Sequence, residues 1–230
     1  SEQRQGPQLL AEFKVYGKGV VTSVLVLWEQ GLCLCGDNRG NIFVFPAPEW
    51  RATAAAGGST DDKKVEEVLS HLSVVRRIHG QDAVTVLVSR GGYVYSAGHD
   101  GNVRQFRPMV AADSGAPPQL REVAYYSTAP VNGVTSLFWS DNGTMLVAGF
   151  YAADFIVADI EHHYVFARWP SGGWKRPHAF WFDHSNPMQG IVLGFAPPAP
   201  KGKAKHSFVP ALHVQSTLAI AAFRAARSTT

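Results

Sequence analysis

The feature that most constrains this chain is a repeated cadence of strand, turn and strand. VVTSVLVLWEQ (20–30) is followed by LCLCGDNRGNIFVF (32–45), and AVTVLVSR (83–90) by YVYSAGHDGNVRQF (93–106). GVTSLFWSDNG (133–143) leads into TMLVAGFYAADFIVAD (144–159), and HAFWFDHSNP (178–187) into QGIVLGFAPP (189–198). Three sets open on the same dipeptide: Val21-Thr22, Val84-Thr85 and Val134-Thr135. These openings are spaced 63 and then 50 residues apart, and His178 follows 44 later. A unit of roughly 40–45 residues, stretched by loop insertions, is the sequence period of a four-stranded propeller blade.

The predicted fold is therefore all-β: a β-propeller segment of about four four-stranded blades, spanning approximately 18–78, 79–128, 131–170 and 176–223. Closed propellers often need about seven blades, so the segment is expected to belong to a larger propeller. The insertions fall at 51–64, 109–119 and 196–206, which are rich in small, polar, Pro or Gly residues. Two segments read both ways. In KVEEVLSHLSVVRRI (64–78), Val65, Val68, Leu72 and Val75 fit helical spacing, yet 72–78 can supply a blade's outer strand, which is the reading adopted. LHVQSTLAIAAFRAAR (212–227) begins with strand formers and ends Ala-rich, as a helix would.

Composition agrees with many short strands. The chain is 46% hydrophobic, enough for a core, and its 22 Gly and 14 Pro supply turns. A net charge of +3 does not by itself call for nucleic acid. Cys33 and Cys35 stand two apart in an apolar run, so a strand points both to one face. They are expected to be buried free thiols, which suits a reducing, cytoplasmic compartment. No apolar run reaches the roughly 20 residues of a membrane span, and SEQRQGPQLL lacks the layout of a secretory signal.

The second set carries the most informative polar residues. His79-Gly80 leads into it, Ser96 lies four residues before Asp100, and Phe106 six after it. Asp100-Gly101 is a strong turn dipeptide. This order resembles that of WD repeats, in which a loop His, a strand Ser or Thr, a turn Asp and a strand Trp form one hydrogen-bonded chain. The resemblance implies a structural tetrad of His79, Ser96, Asp100 and Phe106, with Phe lacking the indole N–H of the last link. Other sets depart further. Arg39 and Ala152 stand where the Asp is expected, Phe45 and Ala158 where the Trp is, and no Trp-Asp dipeptide occurs. A Ser-His-Asp catalytic triad is disfavoured, because Ser96 lacks a G-x-S-x-G elbow and Asp100 sits in a turn the fold requires.

The run from 79 to 182 resembles a specific family. HGQDAVTVLVSRGGYVYSAGHDGNVRQF, then NGTMLVAGFYAADFIVADIEHH with Gly149-Phe150, Ala152, Phe155 and Val157, then GGWKRPHAFWF with Gly172, Gly173, Arg176, Ala179 and Phe180, follow one ordered series. It is similar to that of the large WD-repeat proteins that partner FtsJ-type tRNA 2′-O-methyltransferases. The resemblance implies a noncatalytic scaffold, without cofactor or metal of its own, that helps a partner methyltransferase modify the wobble ribose of tRNA. A general protein-interaction scaffold in another assembly is the alternative, and a propeller enzyme with acidic residues around a channel is a more distant one.

Trp174, Lys175, Arg176 and His178 form a basic cluster beside an aromatic, suited to phosphate contact and base stacking. Arg176 and His178 could equally join one blade to the next. Lys201, Lys203 and Lys205 read as a solubilising loop, with nonspecific phosphate binding as the alternative, and Arg76 and Arg77 as exposed strand residues. Glu161, His162 and His163 hint at a metal, but adjacent His on a strand point apart, so a turn is the expected home.

Overall fold

A computed structural model of the chain describes residues 11–15, 18–47, 67–110, 116–170, 178–182, 189–195 and 218–224. It divides into two compact units, Ser1–Tyr95 with Gln105–Val123, and Ser96–Arg104 with Ala124–Thr230. Among the described residues the one helical element is a 3-10 turn at Trp28–Gln30, and everything else regular is strand.

The strands are, in chain order, β1 (Ala11–Lys14), β2 (Val21–Leu27), β3 (Leu32–Asp37), β4 (Ile42–Pro46), β5 (Glu67–Ser70) and β6 (Ser73–Val75). Then come β7 (Val84–Arg90), β8 (Tyr93–Gly98), β9 (Asn102–Met109) and β10 (Gln119–Ser127). The third set gives β11 (Gly133–Trp139), β12 (Met145–Tyr151), β13 (Asp154–Asp159) and β14 (Tyr164–Pro170). The last described strands are β15 (His178–Phe182), β16 (Gln189–Phe195) and β17 (Leu218–Arg224). They form four-stranded sheets in the orders β2-β3-β4-β6, β10-β9-β8-β7 and β11-β12-β13-β14, and a three-stranded sheet β15-β16-β17. The small sheet β1-β5 is parallel. Four-stranded meanders of this kind are β-propeller blades, so the fold is all-β, as the sequence period implies.

Central strands are buried on both faces, which is why they read as unbroken apolar runs rather than alternating ones. In β3 every residue is buried. Leu32 and Leu34 pack with Ile42, Val44, Val84, Val94 and Phe106. Cys33 and Cys35 point the other way, into a cluster with Phe43 and Phe45 flanked by Phe13 and Val26. Both thiols are free. The shared contact with Cys33, together with burial, pushes the Cys35 thiol up.

Two of the three Val-Thr dipeptides mark a bulge. Val21 pairs with Asp37 and Ser23 with Gly36, leaving Thr22 unpaired; likewise Val134 pairs with Gly149 and Ser136 with Ala148, leaving Thr135 out. The extra residue turns its hydroxyl to a neighbouring carbonyl. Thr22 Oγ1 donates to Val84 O at 2.7 Å, joined there by Ser23 Oγ at 2.8 Å. Thr135 Oγ1 donates to Ala148 O at 3.2 Å. Gly149 is required beside the second bulge, since a Cβ there would lie 2.2 Å from Gly133 O.

The ambiguous segments resolve as strand. β6 is the fourth strand of the first sheet, with Val75 opposite Ile42, but it covers only Ser73–Val75. Arg76 and Arg77 are exposed, as expected, yet lie beyond the strand rather than on it. In the Ala-rich tail, Leu218–Arg224 pairs antiparallel with Gln189–Phe195 along its whole length. Sheet pairing overrides the helical preference of Ala219, Ala221 and Ala222 there. The insertions at 51–64 and 196–206 lie outside the described residues, as does 111–115 of the loop at 109–119.

Candidate functional site

The polar chemistry of the described chain gathers at hairpin turns and at the loops that follow them. The β3–β4 turn is built on Asp37, 1% exposed. Its Oδ1 accepts the backbone N–H of Arg39 at 2.9 Å and of Asn41 at 2.8 Å, and its Oδ2 accepts Asn41 Nδ2 at 2.7 Å. Asn41 Oδ1 in turn accepts the Arg77 N–H at 3.1 Å, tying the turn to the loop that leads into β7. The tie is reinforced by Ile78 N donating to Gly40 O at 2.7 Å.

A matching tie recurs at the β8–β9 turn. Thr128 donates from both its N–H (3.1 Å) and its Oγ1 (2.6 Å) to Gly101 O. Gly101 adopts φ 71°. In both turns the glycine carbonyl receives an amide from the next connecting loop. This backbone feature was not foreseen from the sequence, although the Gly40-Asn41 and Gly101-Asn102 dipeptides mark both places.

His79 and Ser96 are fully buried and Asp100 is half-buried. None of the three residues is without a partner. The Asp100 carboxylate accepts Asn102 Nδ2 at 2.8 Å and the Asn102 N–H at 3.3 Å, an Asx-type turn. Asn102 Oδ1 accepts Tyr125 OH at 2.6 Å, and the Arg104 guanidinium lies 5.0 Å from the Tyr125 ring centre. Phe106 is fully buried in the apolar cluster with Leu34 and Val94.

In the third sheet the turn Ala152-Ala153 carries no carboxylate, and Ala152 takes φ 52°. The polar anchor lies at the other end of β13. Asp159 Oδ1 accepts the N–H groups of Glu161 and His162, both at 2.9 Å, and its Oδ2 faces His162 Nδ1 at 2.8 Å. That bond raises the His162 pKa above its ordinary value. Glu161, His162 and His163 thus occupy a turn, the home expected for them. Among the described residues no group of three or more His, Cys, Asp or Glu could hold a metal.

Trp174, Lys175 and Arg176 lie outside the described residues, as do Lys201, Lys203 and Lys205. His178 opens β15, its backbone opposite Gly194. A basic cluster that the sequence did not single out does emerge. Arg39, Arg76 and Arg77 line, with Asn41 and Gln81, an open cavity of about 460 Å³. Arg39, Asn41 and Arg76 also border a neighbouring cavity of about 330 Å³ that reaches Asp37 and His71. Arg39 is 37 and 38 residues from Arg76 and Arg77 in sequence, and the β4–β6 pairing together with the tie between turn and loop brings them together.

No protein-family profile matches the chain. Its sequence is similar to that of WDR6. The tRNA (34-2'-O)-methyltransferase regulator WDR6 of Rattus norvegicus is 30% identical over 162 residues, which take in 64% of this chain and 14% of the relative. WDR6 of Homo sapiens matches with the same identity and coverage. The matched segment thus spans only a small part of WDR6. Among solved structures, the Cps50 (Swd1) β-propeller domain of Myceliophteria thermophila superposes with a TM-score of 0.48 and 12% identity, covering 77% of this chain and 51% of that one. Sqt1 of Chaetomium thermophilum gives 0.47 and 15%, covering 81% and 43%. Among the described residues no helix is long and apolar enough to cross a membrane.

Proposed function

We propose that this chain is part of a noncatalytic WD-repeat scaffold, cytoplasmic, that assists ribose 2′-O-methylation of the tRNA wobble nucleotide by a partner methyltransferase of FtsJ type. The observation that carries this reading is the 30% identity to WDR6 over 162 residues. The blade architecture supports it, because rigid sheets joined by polar turns present loops to partners without needing a reaction centre of their own. On this reading the methyltransferase supplies the chemistry and the blades position it or its tRNA. His79, Ser96, Asp100 and Phe106 are then a structural tetrad, and Trp174, Lys175, Arg176 and His178 a contact for RNA or protein.

The test is mass spectrometry of wobble 2′-O-methylation in tRNA from cells with and without the full-length gene, with copurification of a methyltransferase as the second readout. Loss of the modification in the deletion is the expected result. Unchanged modification with no methyltransferase recovered would overturn the reading in favour of a scaffold in another assembly.

A further inference from the structure

Arg39, Arg76 and Arg77 are all exposed and converge on one open cavity. Guanidinium is charged at every physiological pH, and its planar fork of donors matches the oxygens of a phosphate. Among the described residues no carboxylate pairs with any of the three. The carboxylate bordering the neighbouring cavity, that of Asp37, is buried and already accepts three hydrogen bonds from its own turn. Among the described residues, therefore, the cluster's positive charge is not spent on pairing with a carboxylate.

The scaffold beneath it is fixed. Asn41 is held on both sides, donating to Asp37 and accepting from the Arg77 N–H. Arg77 itself adopts φ 50°, a conformation that favours glycine. The Arg77 side chain is thus carried on a backbone conformation that costs energy for any residue but glycine. The cavity walls are mostly polar, unlike the apolar pockets that take small neutral ligands.

We propose that the Arg39–Arg76–Arg77 cavity is a binding site for the phosphodiester backbone of RNA. The choice of RNA over an acidic peptide rests on the tRNA reading above; the charge and geometry alone call for an extended oxyanion. Contacts of this kind fix position rather than read bases, so the site would hold RNA without selecting its sequence.

The test titrates the purified chain with a fluorescein-labelled anticodon stem–loop RNA over a series of salt concentrations. A polyglutamate peptide of equal charge serves as competitor. The combined variant Arg39→Gln, Arg76→Gln, Arg77→Gln is expected to raise Kd roughly tenfold or more and to flatten the salt slope by about 2 to 3. Arg121→Gln removes an exposed charge on β10 outside the cavity and is expected to change neither. Arg77→Gly guards against misfolding: it relieves the backbone while removing one phosphate contact, so the chain should unfold no earlier yet bind RNA more weakly. Unchanged RNA binding in the combined variant overturns the proposal, and so does an equal loss in Arg121→Gln. Polyglutamate binding at least as tightly as RNA, through the same arginines, overturns it in favour of an acidic protein partner. Methyltransferase copurification is read in parallel. Arginine-dependent RNA binding without a methyltransferase sinks the scaffold reading and leaves the site standing. A methyltransferase recovered by a chain whose RNA binding ignores the arginines does the reverse.

Discussion

Asp37→Asn is a nearly isosteric change whose effect follows from the hydrogen-bond directions around it. The substituted amide can keep its oxygen toward the N–H groups of Arg39 and Asn41, but as a neutral acceptor. Its nitrogen then faces Asn41 Nδ2, donor against donor. Asn41 cannot repair this by flipping, because its oxygen is held by the Arg77 N–H and a flip would set two donors together there instead. Weakening two charge-assisted bonds and stranding a donor beside a buried position should cost about 2–3 kcal/mol. Asn41→Asp alone should also destabilise, by placing two carboxylates in contact. The double variant Asp37→Asn, Asn41→Asp restores every donor to an acceptor, with the new carboxylate at position 41 receiving both the amide at 37 and the Arg77 N–H. It should recover about half the loss or more, a coupling within the range seen for contacting residues, about 0.5–3 kcal/mol. Urea midpoints of the four proteins give the cycle, and hydrogen exchange at the Arg39 and Asn41 amides reads the turn directly. A single-variant loss below about 0.5 kcal/mol, or a double variant no better than the sum of the singles, would refute the reasoning.

Gly149→Ala sets a Cβ 2.2 Å from Gly133 O, backbone that cannot step aside; a loss of about 3 kcal/mol or more is expected by denaturant unfolding. Ala152→Gly relieves the φ 52° turn, a gain of about 1–2 kcal/mol offset by unfolded-state entropy, so a net stabilisation of about 0.5–1 kcal/mol should appear in the same assay. The bond to Asp159 raises the folded-state pKa of His162, so its stabilisation is full below the unfolded value near 6.5 and fades as pH rises through the folded value. NMR titration should find His162 above its ordinary value, and Asp159→Asn should lower it. Arg39→Asp, exposed and with its side chain outside the Asp37 network, should leave the urea midpoint within about 0.5 kcal/mol while weakening RNA binding.

Much of the fold was legible because both of its signals are periodic. Two of the three Val-Thr dipeptides mark real bulges, at Thr22 and Thr135, and the apolar runs between turns become central strands with both faces covered. The paired cysteines point to one face as their spacing requires. Segment 64–78 is ambiguous because its apolar residues satisfy a helical spacing, and the pairing of β5 with β1 and of β6 with β4 decides for strand. Arg76 and Arg77 were misplaced for the same reason: nothing local says that the strand stops at Val75. The cavity they form with Arg39 was invisible, since it depends on a tie between segments far apart in sequence.

The position of Arg39 shows how a repeat can lose its expected residue without losing its turn. Counting from the Gly-Asn pair, Arg39 stands where the second blade has Asp100. A carboxylate is still present, but it comes from Asp37, two residues earlier, and binds the same kinds of donor: a backbone N–H and the Nδ2 of the Asn after the glycine. The tie to the following loop runs through the glycine carbonyl, at Gly40 as at Gly101, and so places no demand on the side chain before it. Moving the anchor to position 37 releases position 39 to face solvent. An arginine there adds its charge to Arg76 and Arg77 instead of repelling an anion as the usual aspartate would. The departure from the repeat pattern at position 39 thus also supplies one of the three arginines of the basic cavity.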